Sequence, residues 1–341
     1  MKRILLIFAA IAVAFSASAA KPRKAVAKRT PAKASAVQKA SAPVETAHRK
    51  TPYVGAISVD AATGRVLFED KADAEAYPAS VTKLMTLLLV MEDVKAGKYG
   101  YDDKIEATAD AYRSEPSWVG IKAGERMSVR DLCAALMVES ANDAAIVLGV
   151  HAAGSFDAFV ARMNARAAEL GMTHTKYYNP NGLPPNAGRR YPWKSFNVST
   201  ARDQMVLARA LVTKPEVLAL TSIKTCDLVK TADGFRVAVT RRVNEPNAPT
   251  SPATGETIVK QLRNHNNVMR MDKFKVLNAD GTEAVDGLKT GYIDAGGSSI
   301  VLTGSRKGKR AIVVVLGSSS SKERDESARR LLSDALGSLA W

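Results

Sequence analysis

The stretch Tyr77-Pro78-Ala79-Ser80-Val81-Thr82-Lys83 opens a strongly apolar helical run, which continues to Met91. Pro78 favours a helix entrance, because its fixed φ suits the first helical position. Ser80 then lies near a helix N-terminus, where backbone N–H groups favour a developing negative charge. Lys83 follows three residues later, so both side chains share one face. A serine hydroxyl becomes a good nucleophile only with a base, and a desolvated lysine can serve.

Ser-x-x-Lys alone is a weak signal, because this chain contains it three times. The other two copies open no apolar helix: Ser18/Lys21 and Ser319/Lys322. We therefore predict that Ser80 is the nucleophile and that Lys83 is its general base.

A second phrase, Glu139-Ser140-Ala141-Asn142-Asp143, follows a predicted helix. Ser140 can relay a proton to or from Lys83 or a leaving amine, and Asn142 can hydrogen-bond a substrate amide. A similar phrase, Ser195-Phe196-Asn197, is embedded in a predicted loop and is interpreted as a chance match.

A third phrase, Asp286-Gly287-Leu288-Lys289-Thr290-Gly291-Tyr292, lies just before a predicted hairpin. The cation of Lys289 and the hydroxyl of Thr290, side by side on a strand, suit a terminal carboxylate. Gly291 leaves no side chain between that strand and a bound substrate.

The order Ser-x-x-Lys, Ser-x-Asn, Lys-Thr-Gly is typical of penicillin-binding proteins and active-site serine β-lactamases. From about Tyr53 to Leu339 the sequence resembles the low-molecular-mass penicillin-binding proteins of the D-alanyl-D-alanine carboxypeptidase type, serine peptidase family S11. Further phrases carry this resemblance: Asp60-Ala-Ala-Thr-Gly-Arg-Val-Leu67, Pro78-Ala-Ser-Val-Thr-Lys-Leu-Met-Thr86, Ser140-Ala-Asn-Asp-Ala-Ala145, Leu170-Gly-Met172, Asn179-Pro-Asn-Gly-Leu183, Ser199-Thr-Ala-Arg-Asp203 and Val285-Asp-Gly-Leu-Lys-Thr-Gly291.

The resemblance implies that Ser80 attacks the penultimate D-Ala carbonyl of a peptidoglycan stem peptide. D-Ala is released, the acyl-enzyme is hydrolysed, and β-lactams acylate the same serine. Ser140 would assist Lys83, and the backbone N–H groups of Ser80 and Tyr292 would form the oxyanion hole. The implied substrate-binding residues are Asn142, Lys289, Thr290, Gly291 and Tyr292. We expect no cofactor, no metal site, since the four histidines are isolated in sequence, and no nucleic-acid partner.

Three alternatives stay open. A DD-endopeptidase fits a single catalytic domain. A class A β-lactamase would normally show Ser-Asp-Asn and a loop Glu, whereas Ala141 stands in the middle position here. A non-catalytic cell-wall-binding protein would tolerate loss of Ser80 or Lys83, and both are present.

The sequence also departs from the usual family pattern. Two stretches look longer than usual for the family, 184–194 and 231–258. Only 50 residues follow Gly291, so we expect no second β-rich domain or C-terminal anchor.

The predicted fold is mixed α/β (α+β) and β-lactamase/transpeptidase-like. One antiparallel sheet is built from N- and C-terminal strands, with flanking helices and a helical insert. The predicted strands are 54–59, 65–68, 298–302 and 311–316, with two short strand-like runs within a surface excursion at 224–262. The predicted helices are 80–91, 130–150, 156–170, 199–211 and 326–339.

Cys133 and Cys226 are expected to be separate buried thiols, with a disulfide as the alternative in an exported chain.

The N-terminus has a composition of its own. Lys2 and Arg3 precede an apolar run, and small residues follow, which is the pattern of a signal peptide at 1–20. The run is short for a membrane span, although an uncleaved anchor stays open. Residues 21–50 hold nine Lys/Arg and one Glu, +8 of the net +15, and are expected to be a disordered linker before the catalytic domain at 51–341. We expect export to the periplasm, or to the cell wall or extracellular space, with the linker either contacting anionic wall or membrane or serving as a solvated spacer.

Removal of residues 21–50 tests this reading. We expect the melting temperature and the activity on soluble peptides to stay unchanged, because the segment has almost no large apolar side chains to bury. Binding to anionic sacculi or vesicles should weaken, most clearly at low salt, since salt screens charges. Thermal unfolding and co-sedimentation measure both effects, and a melting temperature lowered by several degrees would contradict the predicted disorder.

Overall fold

The computed structural model describes residues 51–108, 111, 116–185, 195–248 and 251–340. The predicted signal peptide at 1–20 and the basic linker at 21–50 lie outside the described residues. So do 186–194 and 249–250, which belong to the two stretches expected to be long.

Ten strands and eight helices make up the described part. The strands are β1 (Gly55–Asp60), β2 (Val66–Asp70), β3 (Lys104–Glu106), β4 (Arg126–Ser128), β5 (Ile223–Lys230), β6 (Phe235–Arg242), β7 (Thr257–Arg263), β8 (Val285–Ile293), β9 (Gly297–Arg306) and β10 (Lys309–Ser318). The helices are α1 (Lys83–Lys95), α2 (Val129–Val138), α3 (Asn142–Ala153), α4 (Phe156–Glu169), α5 (Ala201–Val212), α6 (Pro215–Thr221), α7 (Asn267–Arg270) and α8 (Ser321–Leu339). Short 3₁₀ turns occur at Ala79–Thr82 and Asp272–Phe274.

A five-stranded antiparallel sheet, in the order β2-β1-β10-β9-β8, joins the two ends of the folded chain. Side chains alternate across β10, as they do in any strand. Val313 and Val315 pack with Leu332 and the rest of α8, whereas the neighbouring Val314 joins the cluster that contains α1. A one-residue slip would exchange these two apolar faces, so burial on both sides fixes the register.

The predicted hairpins at both ends of the chain are confirmed. Lys307 and Gly308 form the two-residue turn between β9 and β10, with φ of 50° and 73°. Positive φ at both positions matches a type I′ turn, whose twist suits antiparallel strands. The last helix begins at Ser321 rather than at the predicted residue 326, because the Ser320 side chain caps it by accepting a bond from the Glu323 N–H.

The prediction of one helix over 130–150 is wrong. The chain forms α2 and α3 with a break at residues 139–141, where Ser140 has a φ of 62°. A left-handed residue cannot continue a right-handed helix. Helices at 156–170 and 199–211 are confirmed within two residues at each end, and Thr200 is the N-cap of α5.

The predicted surface excursion at 224–262 is also corrected. It contains three strands, which form a separate antiparallel sheet in the order β6-β5-β7. The pairing of β3 with β4 had no counterpart in the prediction.

Both cysteines are buried and free, as predicted. Burial raises the pKa of each thiol to about 12. Within the described ranges no single helix is long and apolar enough to cross a bilayer; α3 and α4 reach that length and composition only as a pair bent by 85°.

Leu316 in β10 is fully buried, whereas Leu277 is 49% exposed. We expect Leu316→Ala to lower the free energy of unfolding by about 2–5 kcal/mol, because it leaves a cavity in the core. Leu277→Ala removes the same atoms from a solvated site and should change it by less than about 0.5 kcal/mol. Urea denaturation of both variants measures the contrast, and equal losses would contradict the described packing.

Candidate active site

Ser80 lies on the 3₁₀ turn that leads into α1, with its backbone enclosed by two other segments. Ala79, immediately before it, has a φ of 49°. A Cβ on Gly182 would lie 1.9 Å from the Ala79 carbonyl oxygen, and one on Gly291 would lie 3.0 Å from the Ser80 nitrogen. Only glycine at these two positions lets the loop at 179–183 and strand β8 approach the serine so closely.

Lys83, the first residue of α1, is completely buried. Its Nζ lies 2.9 Å from Ser80 Oγ, 2.7 Å from Asn142 Oδ1 and 2.7 Å from the Asn181 carbonyl oxygen. Desolvation, and secondarily the positive charge of Lys289, holds the pKa of Lys83 well below its usual range, while Asp143 opposes the shift. Burial disfavours the charged form of an amine, so this lysine is inclined to be neutral.

Ser140 lies in the break between α2 and α3, and Asn142 begins α3. The buried Ser140 Oγ has no hydrogen-bond partner among the described residues. Asn142 N–H donates to the Ser117 carbonyl at 2.8 Å. The Asp143 carboxylate accepts bonds from three successive backbone N–H groups, those of Val119, Gly120 and Ile121. The segment 116–121 is thereby fastened beside the break, although burial is the larger effect on Asp143 and raises its pKa.

Lys289 and Thr290 lie on β8, one of the two outer strands of the large sheet. Both side chains are buried, and Lys289 Nζ donates to the Thr290 carbonyl oxygen at 3.0 Å. Desolvation, with a smaller contribution from Arg324, lowers the pKa of Lys289 to about 7. Tyr292, two residues further along, is 61% exposed, and its hydroxyl donates to Asp294 at 2.7 Å.

The structure therefore brings part of the sequence-predicted set into direct contact. Ser80, Lys83 and Asn142 are directly hydrogen-bonded, and Gly291 contacts the backbone of Ser80. The competing pair Ser319/Lys322 lies at the start of α8, where the Lys322 side chain is 74% exposed. No group of three or more potential metal-binding side chains occurs in the part of the chain that the structure describes.

Asn197, set aside as a chance match, proves to support the site. Its Nδ2 donates to Thr82 Oγ1 and to the Asn179 carbonyl, both at 3.0 Å, and its Oδ1 accepts from the Tyr178 N–H at 2.7 Å. The side chain thus joins the turn that carries Ser80 to the loop that carries Asn181. The sequence gives no local signal for this, because its partner Thr82 is 115 residues away.

Two neighbours of Lys289, the cationic Arg324 and the histidine His265, were also missed. Arg324, at the start of α8, is 5% exposed and pairs with the buried Asp325 at 2.7 Å. His265 follows β7; desolvation, and then the charges of Lys289 and Arg270, lower its pKa to about 4. Both are joined to the site only by the fold, so sequence spacing could not reveal them.

Comparisons with known proteins agree on the family. The profile of peptidase family S11, described as D-alanyl-D-alanine carboxypeptidase, matches residues 44–320. D-alanyl-D-alanine carboxypeptidase DacF of Bacillus subtilis is 29% identical over 81% of this chain and 60% of the relative, so the chain spans about three fifths of that protein.

Solved structures show the same fold. The D-alanyl-D-alanine carboxypeptidase DacD of Francisella tularensis superposes with a TM-score of 0.70 at 28% identity, covering 87% of this chain and 73% of that one. Penicillin-binding protein D2 of Listeria monocytogenes, in an ampicillin-bound form, gives 0.62 at 27% identity and covers 84% and 98%. The β-lactamase/transpeptidase-like fold expected from the sequence is therefore confirmed, and the chain belongs to peptidase family S11, the D-alanyl-D-alanine carboxypeptidase family.

Proposed function

We propose that this protein is a serine-type D-Ala-D-Ala carboxypeptidase that trims the terminal D-Ala from peptidoglycan stem peptides. The observation that carries the proposal is the environment of Lys83. A neutral amine has two N–H donors and one lone pair. The side-chain oxygen of Asn142 and the backbone carbonyl oxygen of Asn181 can accept the two hydrogens. The lone pair is then left for the Ser80 hydroxyl, whose oxygen lies 2.9 Å from the amine nitrogen. The same lysine is desolvated, so its neutral form is favoured.

Acyl transfer follows from this arrangement. Lys83 takes the hydroxyl proton of Ser80 as Oγ attacks the penultimate carbonyl carbon. The resulting oxyanion develops beside the backbone N–H of Ser80, and such donors typically contribute about 3 kcal/mol each to lowering the barrier. The C–N bond then breaks, and the leaving D-Ala nitrogen receives a proton through Lys83 or Ser140, whose Oγ has no other partner among the described residues. Water subsequently hydrolyses the ester and regenerates Ser80.

The substrate terminus is expected to lie at Lys289 and Thr290. A free carboxylate gains from a buried cation, whereas a continuing peptide chain would leave that cation unpaired. Arg324 adds a second positive charge close to Lys289. This preference for a free carboxylate favours carboxypeptidase over endopeptidase activity.

We infer that β-lactams acylate Ser80 as mimics of the substrate. The Listeria relative with a similar fold was solved in an ampicillin-bound form, which supports this inference. We also infer that residues 1–20 direct export and that the protein acts on the wall outside the cytoplasm, consistent with the peptidoglycan substrate.

A labelled penicillin should attach covalently to Ser80, because its Oγ lies 2.9 Å from a desolvated amine, whereas the Lys322 side chain of the Ser319/Lys322 pair is 74% exposed. Ser80→Ala should abolish both labelling and D-Ala release, while circular dichroism stays unchanged. Mass spectrometry of the labelled peptide identifies the site, and Ser319→Ala is the matched control that should keep full labelling. Label that persists in Ser80→Ala, or that maps to Ser319, would overturn the assignment.

The pH profile of kcat/KM should be bell-shaped. Activity rises as Lys83 loses its proton and can act as a base, and it falls as Lys289, with a pKa of about 7 in the free enzyme, loses the charge that binds the carboxylate. Lys289→Arg should move the falling limb to higher pH, because a guanidinium stays protonated. Lys289→Ala should cut turnover by roughly tenfold or more, as expected from losing a charged hydrogen bond.

A substrate with an amidated terminus provides the control. The wild type should cleave it poorly and without the falling limb that Lys289 produces. Equal turnover of the acid and the amide would show that Lys289 does not bind a carboxylate, and an endopeptidase would then be the better reading.

A further inference from the structure

We propose that Lys260, on β7, is a positioning residue that holds the helix break carrying Ser140. The inference rests on the proposed function, because it concerns the acylation of Ser80. Lys260 does not touch the reacting atoms and acts through Glu139, the residue immediately before Ser140 in the chain.

One ammonium group joins three segments that are distant in sequence. Lys260 Nζ lies 2.5 Å from Glu139 Oε1, at the end of α2, and 3.4 Å from the Trp118 carbonyl oxygen. Lys260 belongs to β7, one of the two outer strands of the small sheet. The Glu139 side chain is 14% exposed and that of Lys260 is 44% exposed, so the carboxylate is the more shielded partner.

Ser140 needs such support because of its backbone. Its φ of 62° lies in the left-handed region, which residues with a Cβ rarely adopt. On the C-terminal side, Asn142 and Asp143 are bonded to the segment 116–121. On the N-terminal side, Lys260 bonds both to the Glu139 side chain and to the backbone carbonyl of Trp118, which belongs to the same segment. The break is therefore fastened from both ends.

The consequence for the reaction follows from Asn142. Its Oδ1 is one of the three groups around Lys83 Nζ, so movement of the break alters the geometry of the base and of Ser140 together. Catalytic geometry is sensitive to small displacements even when the fold is intact. Loss of Lys260 should therefore lower the rate constant of acylation clearly while it changes the melting temperature little.

The test measures the second-order rate constant for acylation by a fluorescent penicillin, together with melting temperature. Lys260→Met and Glu139→Gln should each slow acylation about tenfold, which corresponds to about 1.4 kcal/mol in the barrier. The double variant should be no slower than the slower single variant, because the two changes break one interaction. Lys260→Arg keeps the charge and should retain most of the rate.

Lys230→Met is the matched control. Lys230 forms an ion pair with Glu125 at 2.5 Å, with exposures of 40% and 18%, which resemble the 44% and 14% of the Lys260 pair. Lys230 lies on β5 of the same small sheet, and its loss should leave acylation unchanged.

Acylation of Lys260→Met at the wild-type rate would overturn the inference, as would multiplicative effects in the double variant. An equal loss of rate in Lys230→Met would also overturn it, because the effect would then be general weakening of the small sheet. If Lys260→Met does not fold, the comparison of Glu139→Gln with wild type decides the question. Failure of the wild type itself to be labelled at Ser80 would instead count against the proposed function.

Discussion

The rest of the site depends on the hydrogen bonds of the buried Lys83 amine. It meets Ser80 from its own turn, Asn142 from the start of α3 and the Asn181 carbonyl from the loop at 179–183. Each segment must arrive with a polar group aimed at one nitrogen, because a buried amine without partners would be strongly disfavoured. The remaining structure can be understood as the means of bringing these three segments to that point.

Close approach between backbone segments is the second constraint on the position of Ser80. Strand β8 is paired to β9 on one side only, among the described strands, and its unpaired edge passes beside Ser80 at Gly291. Gly182 allows the opposite loop to reach the Ala79 carbonyl. Ser80, the proposed nucleophile, is thus enclosed by close main-chain approaches, whereas desolvation lowers the pKa values of Lys83 and Lys289. Rigid backbone and shifted pKa values together suit a serine that has no histidine partner.

Local patterns in the sequence predicted most of the elements near the ends of the chain, and they singled out Ser80, Lys83 and Asn142, which the structure joins by hydrogen bonds. Turn residues such as Gly308 and caps such as Thr200 act over a few positions and can be read directly. The small sheet was underestimated, because β6 is half-buried along almost its whole length and β7 is mostly exposed, so neither shows alternation. The left-handed Ser140, the bridging Asn197 and the buried Arg324 depend on partners from distant segments. Such contacts leave no periodic signal, and only the assembled fold exposes them.

The pairing of β1 with β10 has a consequence for how the chain acquires its structure. Gly55 lies opposite Leu316, so the central pair of the large sheet closes a loop of most of the folded sequence. Contacts of such long sequence separation form slowly, because the entropy of loop closure must be met before they contribute. During synthesis, helices α1 to α4 can form while β1 is paired only with β2 and still lacks β10. The large sheet of the nascent chain is therefore expected to remain incomplete until the strand near residue 316 has emerged.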